Sequence, residues 1–224
     1  MTEELLVCSN LCKTFLSPEG PIKILDGFNY TFYSGESVAI TGASGSGKTT
    51  LLNILSGIDE DFSGDIIFKD RNFKELSQIK KEKWRREEVG FIFQDFKLLP
   101  RLTAKENVAL PLQMLGQSRK ISFLKSLEIL EKLGLKDRSN HFPTTLSGGE
   151  QQRVALARAF VNEQSIIFAD EPTGNLDPST SEIVLRQLFD LNKEKQSLLI
   201  LVTHDLDLAS RMDKQIKLIN GKAL

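Results

Sequence analysis

Apolar and polar positions along the first ninety residues alternate in a way that predicts strands. Residues 5–11 and 22–32 have strand-like patterns, and Pro18-Glu19-Gly20-Pro21 between them predicts a turn, hence an antiparallel pair. Three shorter apolar runs predict further strands at residues 37–41, 65–69 and 89–93. The charge-rich segment 75–88 predicts an amphipathic helix, and its mixed charges indicate a solvated face rather than a nucleic-acid patch.

Strand-like runs stop at about residue 95, and three helical segments follow. Thr103 and Glu106 are spaced as a capping box, so a helix is expected to begin there, with Pro111 as a point of interruption or kinking. The predicted buried face of the second helix consists of apolar residues at i, i+4 and i+7, namely Phe123, Leu127 and Leu130. The third helix is predicted from residue 147 to about residue 161.

Strands and helices alternate again after residue 162. Two predicted strands, Ile166 to Phe168 and Leu198 to Val202, are wholly apolar, which is typical of a parallel sheet buried on both faces. The pattern predicts an α/β fold with a mostly parallel sheet core, an antiparallel β subdomain and an inserted helical subdomain. We expect one domain over residues 1–224, in which residues 1–94 and 163–224 form the core with its β subdomain and residues 95–162 form the helical subdomain.

Composition narrows the possible partners. Lys and Arg number 29 against 30 Asp and Glu, for a net charge of −1. Because this balance provides no overall basic field, no nucleic-acid partner is expected. Cys8 and Cys12 are too few to staple a domain of this size and are expected to be buried, reduced thiols. No apolar run approaches the roughly 20 residues that cross a bilayer, so a protein without a membrane anchor of its own is expected.

Residues 42–49, Gly-Ala-Ser-Gly-Ser-Gly-Lys-Thr, fit the phosphate-binding pattern G-x-x-x-x-G-K-[ST]. They lie between a predicted strand and an apolar helical run, the context that such a loop requires. Its glycines allow the backbone to curl, so that successive N–H groups and the positive helix end point at one anion. Lys48 is then expected to reach the β- and γ-phosphates and Thr49 to coordinate Mg²⁺. A plain Gly/Ser-rich turn is the alternative.

A pair of acidic residues, Asp170 and Glu171, follows the apolar strand that begins at Ile166. Such a strand end lies at the carboxyl edge of the sheet, where ligands bind in open α/β folds. Asp170 is therefore expected to hold Mg²⁺ together with Thr49, and Glu171 to orient and deprotonate the attacking water. Acids that only cap a helix or lie in a solvated loop are the alternative.

The segment Leu146 to Arg153, with the sequence Leu-Ser-Gly-Gly-Glu-Gln-Gln-Arg, distinguishes between phosphate-loop families. Ser147 and Glu150 are spaced as a capping box, which alone would mark only a good helix start. Two glycines just inside the helix cost about 1 kcal/mol each relative to alanine, which is understandable if a phosphate approaches the backbone there. The octet resembles the signature motif of ABC-type ATPases, with Glu150 where many members have Gln.

This resemblance covers essentially the whole chain and implies a P-loop NTPase fold of the ABC type, with ATP and Mg²⁺ as cofactors. It implies that Asp170 is the Walker B aspartate and Glu171 the catalytic glutamate. Gln94 is similar to the Q-loop glutamine, which contacts the Mg²⁺ or the attacking water. His204 resembles the switch histidine at the γ-phosphate, although a histidine after a strand is, by itself, more often a local hydrogen-bonding residue.

The implied catalytic set is therefore Glu171, His204 and Gln94, and the implied metal set is Thr49, Gln94 and Asp170. Phe15 resembles the aromatic residue that stacks on adenine, with a core aromatic as the alternative. The full set of implied nucleotide-binding residues is Phe15, Gly42, Ala43, Ser44, Gly45, Ser46, Gly47, Lys48, Thr49, Thr50, Ser147, Gly148, Gly149, Glu150 and, in the D-loop, Asp177.

Family resemblance also implies two partners. One is a second copy of the chain, packed head to tail so that ATP lies between Lys48 and Thr49 of one copy and Ser147 and Gly149 of the other. The other partner is an integral membrane subunit, and the apolar segment Phe96 to Leu112 is expected to be the groove that receives its cytoplasmic helix, with plain core packing as the alternative. Such attachment would keep the protein at the cytoplasmic face of the inner membrane.

Three segments resemble the lipoprotein-releasing and macrolide-exporter group of the family, namely Phe93 to Pro100, Glu106 to Leu112 and Glu171 to Asp177. Macrolide exporters continue into membrane segments, whereas this sequence ends at Leu224, which favours a separate ATPase subunit of the lipoprotein-releasing kind. A related cell-division regulator and a macrolide or peptide exporter ATPase are the alternatives. A DNA-repair or translation ATPase would usually contain a coiled-coil insertion or a second motif set, and neither is present.

Overall fold

The computed structural model describes residues 3–18 and 20–223. Its strands are β1 (Glu4–Ser17), β2 (Gly20–Tyr33), β3 (Ser37–Thr41), β4 (Ser63–Phe68), β5 (Arg71–Asn72), β6 (Val89–Phe93), β7 (Ile166–Asp170), β8 (Leu198–Val202), β9 (Lys214–Ile219) and β10 (Lys222–Ala223). Its α-helices are α1 (Lys48–Leu55), α2 (Gln78–Glu88), α3 (Ala104–Met114), α4 (Arg119–Lys132), α5 (Gly148–Phe160), α6 (Pro178–Lys195) and α7 (Leu206–Ser210). The chain forms two compact units, a first unit of Met1–Arg85 with Leu198–Leu224 and a second unit of Arg86–Ser197.

An antiparallel sheet of order β2-β1-β4-β5 opens the first unit. The predicted antiparallel pair is confirmed, and both strands are longer than their apolar patterns because β1 and β2 pair from Glu4↔Tyr33 to Ser17↔Gly20. Glu19, in the predicted turn, lies outside the described residues. Inward-facing side chains of these strands, including Leu6, Phe28 and Phe32, are fully buried, so alternation along the strands forms this part of the core.

A parallel layer completes the first unit. Strand β3 pairs in parallel with β8 on one side and with β9 on the other, and β10 joins β9 antiparallel. All five residues of β8 are buried, as its wholly apolar sequence predicts. Helix α1 lies against β8 and α7 against β3. The carboxyl ends of β3 and β8 therefore lie side by side at one edge.

The second unit combines two parallel strands with four helices. Strands β6 and β7 pair in register from Val89↔Ile166 to Phe93↔Asp170. Helix α5 contacts β6 and also α3, α4 and α6, so it is the central helix of this unit. Helix α3 begins at the predicted capping box, but the expected interruption at Pro111 does not occur and the helix continues to Met114. A proline this close to the helix end removes one hydrogen bond without breaking the helix.

The predicted buried face of α4 is confirmed at Leu130 but wrong at Phe123 and Leu127. The buried residues are Ser122, Ser126, Ile129 and Leu130, whereas Leu127 is exposed and Phe123 is half-buried. Burying the two serines is tolerated because each hydroxyl donates to a backbone carbonyl one turn earlier, at 3.0 Å for Ser122 and 2.6 Å for Ser126. The Phe123 ring instead lies under the cations of Lys105 and Arg119. Two small serines with hydrogen-bonded hydroxyls thus occupy the helix interface where larger apolar residues were expected.

Three further predictions concern polarity and thiols. Trp84 is the one buried residue of α2, so its charged run forms the predicted solvated face. Both cysteines are free, but only Cys8 is buried; Cys12 is half-buried, and its sulfur accepts a hydrogen bond from the Gly27 N–H at 3.2 Å. Within residues 3–18 and 20–223, no helix has both the length and the apolar character needed to cross a membrane.

Candidate functional site

The phosphate loop follows β3 and leads directly into α1. Two of its glycines are required by the backbone and its surroundings. Gly47, with φ +94°, immediately precedes α1, and a Cβ there would lie 2.6 Å from the Ile24 side chain. A Cβ on Gly42, with φ +156°, would lie 2.6 Å from the Leu218 carbonyl oxygen. The curled backbone predicted from the motif is therefore present, and only glycine fits these two positions.

Lys48 supplies the charge of the loop. Its side chain is 9% exposed, and its ammonium donates to the carbonyls of Gly42 at 3.0 Å and Ala43 at 2.9 Å. Among the described residues, no carboxylate lies within ion-pair distance of it. Carbonyl oxygens solvate a cation but do not neutralise it, so a nearly buried positive charge remains beside the N-terminus of α1. Both features favour an anion in this loop.

His204 belongs to the same edge of the first unit. It follows β8, whose Val202 is in register with Ile40 of β3, so the histidine and the phosphate loop leave neighbouring strands at the same end. The residues around it are held by local hydrogen bonds. The Asp205 N–H donates to the Thr203 hydroxyl at 3.0 Å, and the Asp205 carboxylate caps α7 by accepting from the Leu208 N–H at 3.1 Å. The predicted grouping of His204 with the loop is therefore consistent with the strand order.

Phe15 lies near the end of β1 and is 45% exposed, so the core-aromatic alternative is wrong. The Lys13 ammonium lies 5.0 Å from the centre of its ring. Lys13 is itself buried and paired with Asp59 at 2.9 Å and Asp61 at 3.2 Å. The exposed ring is available for stacking, and its role toward adenine stays a prediction.

Gln94, Asp170 and Glu171 lie at the corresponding edge of the second unit. Because Phe93 is in register with Asp170, Gln94 and Glu171 both follow directly from the ends of paired strands. Glu171 has φ 45°, a left-handed conformation that a non-glycine residue rarely adopts. The Gly174 N–H donates to the Glu171 carbonyl at 3.0 Å and closes the turn behind it. The acid predicted as catalytic thus lies on a strained, hydrogen-bonded turn.

Ser147 caps α5 through the predicted box. Its hydroxyl accepts from the Glu150 N–H at 3.2 Å, and its own N–H donates to the Glu150 carboxylate at 2.8 Å. The Ser147 N–H and then Arg138, at 2.9 Å, hold the pKa of Glu150 below its usual value. The Ser147 hydroxyl also contributes a hydrogen bond to the Glu150 carboxylate that lowers this pKa, so the serine is bonded to Glu150 through both its backbone and its side chain.

Packing gives Gly149 a role that the sequence did not reveal. A Cβ at this position would lie 2.3 Å from the Thr180 side chain, so α6 can approach the start of α5 only because residue 149 is glycine. Thr180 is in the first turn of α6, and Asp177 caps that turn by accepting from the Ser179 and Thr180 N–H groups, each at 3.1 Å. Bonds from Ser179 and Thr180 hold the pKa of Asp177 well below its usual range. Its part in nucleotide binding stays a prediction.

Comparison with known proteins agrees with this geometry. The sequence profile of the ABC transporter family matches residues 25–174. A dimeric structure of a post-hydrolysis state of the ATP-binding cassette MJ0796, bound to ADP and Pi, is 38% identical and has a TM-score of 0.88, covering 98% of this chain and 96% of that one. A dimeric structure of MJ0796 described as a bacterial ABC transporter cassette is 39% identical, with a TM-score of 0.89 and the same coverage. The chain belongs to the ABC transporter family. Its fold is that of the family's ATPase cassette, and its activity is ATP hydrolysis.

Two residues of this ABC ATPase that sequence reasoning missed lie in helix α5. The Gln152 side chain is fully buried and donates to the Pro172 carbonyl, directly after Glu171. Arg158 donates to the carbonyls of Phe96 at 2.8 Å and Lys97 at 2.6 Å, two residues with left-handed backbone conformations. Helix α5, which begins at the signature motif, therefore holds both the loop that contains Glu171 and the segment after Gln94. The sequence offers one signal for these two roles: Gln152 and Arg158 lie two and eight residues after Glu150, in the same predicted helix.

Proposed function

We propose that this ABC ATPase works as a dimer of two identical chains that closes on ATP, opens after hydrolysis and thereby drives a membrane partner. Release of lipoproteins from the inner membrane is the process that we assign to it. The observation that carries the proposal is the nearly buried Lys48 ammonium, which donates to the Gly42 and Ala43 carbonyls in a curled glycine loop and has no carboxylate partner among the described residues. Two structural neighbours that match nearly the whole chain are dimeric cassettes, one of them bound to ADP and Pi, which supports the same reading.

Within this proposal, each unit supplies part of the chemistry. The loop from Gly42 to Thr50 binds the phosphates, and Phe15 stacks on adenine. Glu171 orients the attacking water and accepts its proton, a step worth about 10²- to 10⁴-fold in rate. His204 contacts the γ-phosphate, and Gln94 contacts the Mg²⁺ or the water.

We assign Mg²⁺ to Thr49, Gln94 and Asp170. All three have oxygen donors, the ligand type that Mg²⁺ prefers, and the ion is commonly held by one or two carboxylates together with the substrate phosphates. In the part of the chain that the structure describes, no cluster of His, Cys, Asp or Glu side chains could hold a metal alone, which fits an ion bound jointly with ATP. When bound, Mg²⁺ would neutralise charge on the phosphates.

The second chain would complete each site. Ser147, Gly148, Gly149 and Glu150 lie at the start of helix α5, and the positive end of this helix, together with the Ser147 side chain, suits the γ-phosphate of an ATP held by the other chain. The D-loop residue Asp177 would lie at the same interface. Hydrolysis would then require two chains.

The membrane subunit is assigned to the segment Phe96 to Leu112. Five of its large apolar residues are not buried: Phe96, Leu98, Leu102 and Leu110 are half-buried, and Leu99 is 45% exposed. An apolar surface of this kind suits the apolar face of a docking helix. Through such a subunit the protein would be held peripherally at the cytoplasmic face of the inner membrane.

Depletion of the protein in its host tests the assigned process. Retention of lipid-modified proteins in the inner membrane, measured by membrane fractionation, is the expected result. Normal lipoprotein distribution with filamentous cells would instead favour the cell-division regulator. Normal distribution with increased sensitivity to macrolides would favour the exporter, and either outcome would overturn lipoprotein release.

A further inference from the structure

The side chain of Gln94 is held by a second amide, that of Asn175. Gln94 follows β6, and Asn175 lies in the loop after β7, 81 residues later. The Gln94 Nε2 donates to the Asn175 Oδ1 at 3.2 Å, and the Asn175 Nδ2 donates to the Gln94 backbone carbonyl at 3.0 Å. Both bonds lie within the second unit.

These two bonds fix which way each amide points. A backbone carbonyl can only accept, so Asn175 must turn its Nδ2 toward the carbonyl of Gln94. The Asn175 Oδ1 then faces the Gln94 side chain, and because an oxygen can only accept, Gln94 must turn its Nε2 toward it. Amide orientations are usually ambiguous, but this pair is anchored on a group that has one possible role. The Gln94 Oε1, the atom that can coordinate a cation or accept from water, is left on the other side.

Gly174 makes room for this arrangement. A Cβ at residue 174 would lie 2.8 Å from the Gln94 Nε2 and 3.2 Å from its Cδ. The backbone of Gly174 is outside the left-handed region, so its conformation does not require glycine. A side chain at residue 174 would instead displace the Gln94 amide from its observed position. The turn that holds Gly174 is closed by the bonds from its N–H to the Glu171 carbonyl and from the Leu176 N–H to the Thr173 carbonyl.

The backbone on the other side of Gln94 is fixed as well. Arg158 holds the Phe96 and Lys97 carbonyls, so the chain that leaves Gln94 has a defined path. The side chain therefore extends from a held backbone and meets a held partner.

We propose that Asn175 is a positioning residue for Gln94, which it orients so that the amide presents Oε1 rather than Nε2 to the metal and water. This inference rests on the role proposed above for Gln94. It adds that Gly174 leaves the space for the Gln94 side chain and that Asn175 holds this side chain by hydrogen bonds.

A first test uses the nucleotide-free protein. The Gln94 side-chain amide is identified in ¹⁵N NMR spectra by its loss in Gln94→Ala, and its hydrogen exchange with solvent is measured. Asn175→Ala and Gly174→Ala should each speed this exchange about 2- to 10-fold, the factor expected for loss of one ordinary hydrogen bond. Asn140→Ala is the matched control, because Asn140 is an exposed asparagine that accepts one bond from Lys105 in the same unit. Unchanged exchange in Asn175→Ala would overturn the inference.

A second test measures the gain in ATP affinity that Mg²⁺ produces, in a Glu171→Gln background that prevents turnover. Asn175→Ala should reduce this gain about 2- to 10-fold and leave ATP affinity without Mg²⁺ unchanged. The double variant with Gln94→Ala should lose no more than Gln94→Ala alone, because Asn175 acts through Gln94. Additive losses, or a loss in Gln94→Ala without one in Asn175→Ala, would overturn the inference alone. A Gln94→Ala protein with wild-type affinities would remove the role proposed for Gln94 and the inference with it.

Discussion

At the scale of single residues, the proposal assigns ATP binding to Lys48 and the hydrolysis step to Glu171. Lys48 provides the nearly buried charge of the phosphate loop, whereas Glu171 lies on the strained turn after β7. Lys48→Ala should weaken ATP binding and thereby lose hydrolysis as well. Glu171→Gln should keep ATP binding but lower turnover about 10²- to 10⁴-fold, because an amide cannot accept the proton of water.

Measuring ATP affinity and steady-state hydrolysis on both variants tests this division. The residual ATP affinity of Lys48→Ala also shows whether the loop backbone binds phosphate without its cation. Turnover by Glu171→Gln near the wild-type rate would mean that another group is the base.

Single-residue chemistry was predictable from sequence where the partners are local. The phosphate loop is continuous, and its glycines have the curled backbone that the motif predicts. The contact of Lys48 with the phosphates stays a prediction. The bonds of Gln152, Arg158 and Asn175 were not predictable because their partners are 20 to 81 residues away. Their positions are set by the packing of α5 and by strand register, and a local sequence pattern predicts neither.

The two capping boxes link helix stability to pH at the scale of elements. Hydrogen bonds from the Thr103 and Ser147 N–H groups, respectively, lower the pKa values of Glu106 and Glu150. An acid whose pKa is lower in the folded state contributes stability above its unfolded value, about 4.3, and loses that contribution as the pH falls through this value toward the folded pKa. Stability should therefore decline below about pH 5.

Glu150→Gln tests this dependence because glutamine also completes a capping box but does not titrate in this range. The fall in Tm between pH 7 and pH 4 should be smaller for the variant than for the wild type. Glu82→Gln, on the exposed face of α2, is the control. Equal pH dependence in wild type and Glu150→Gln would show that the box does not contribute.

The proposed docking of a membrane partner would depend on the loop before α3. Leu99 is exposed, while its backbone N–H and carbonyl are bonded to the buried Asn107 side chain at 2.8 and 3.1 Å. Leu99→Glu should therefore keep the fold, the Tm and the basal hydrolysis of the isolated chain, and lose membrane recruitment. Flotation with membranes that contain the transporter subunits measures recruitment.

Asn107→Ala is the informative contrast, because it leaves backbone groups of the same loop without partners. It should destabilise the chain by about 1–3 kcal/mol, and each kcal/mol lowers Tm by roughly 2–4 °C in a protein of this size. If Leu99→Glu also unfolds the protein, the core-packing alternative for this segment is right.

Element positions followed from sequence more closely than element faces. Strands β3 and β6 have the predicted bounds, because short apolar runs end where the chain turns. The buried face of α4 did not follow from the sequence at Phe123 and Leu127. Ser122 and Ser126 can be buried in their place because their hydroxyls form hydrogen bonds within the helix. Periodicity alone treats a serine as a solvent-facing residue, whereas the packed helices select for size.

At the scale of the whole molecule, the proposed dimer makes each site depend on two chains. Ser147 would contact the ATP held by the other copy. With ATP and Mg²⁺, Glu171→Gln should form a dimer that the nucleotide-free protein does not form, because it traps the unhydrolysed state. Adding Ser147→Arg should keep it monomeric, since a long side chain would occupy the space of the γ-phosphate. Sedimentation velocity measures both.

Ser147→Arg also removes the capping box of α5, which is a second reason for the dimer to be lost. The chain provides a control for this effect. Thr103 caps α3 through the same kind of box, with its hydroxyl accepting from the Glu106 N–H at 3.3 Å. Thr103→Arg in the Glu171→Gln background therefore removes an equivalent cap, worth about 0.5–2 kcal/mol, from a helix start that has no assigned contact with nucleotide. This control should still dimerise on ATP. Dimers of equal strength with and without nucleotide, or an equal loss of dimer in both arginine variants, would contradict a site completed by Ser147 of the second chain.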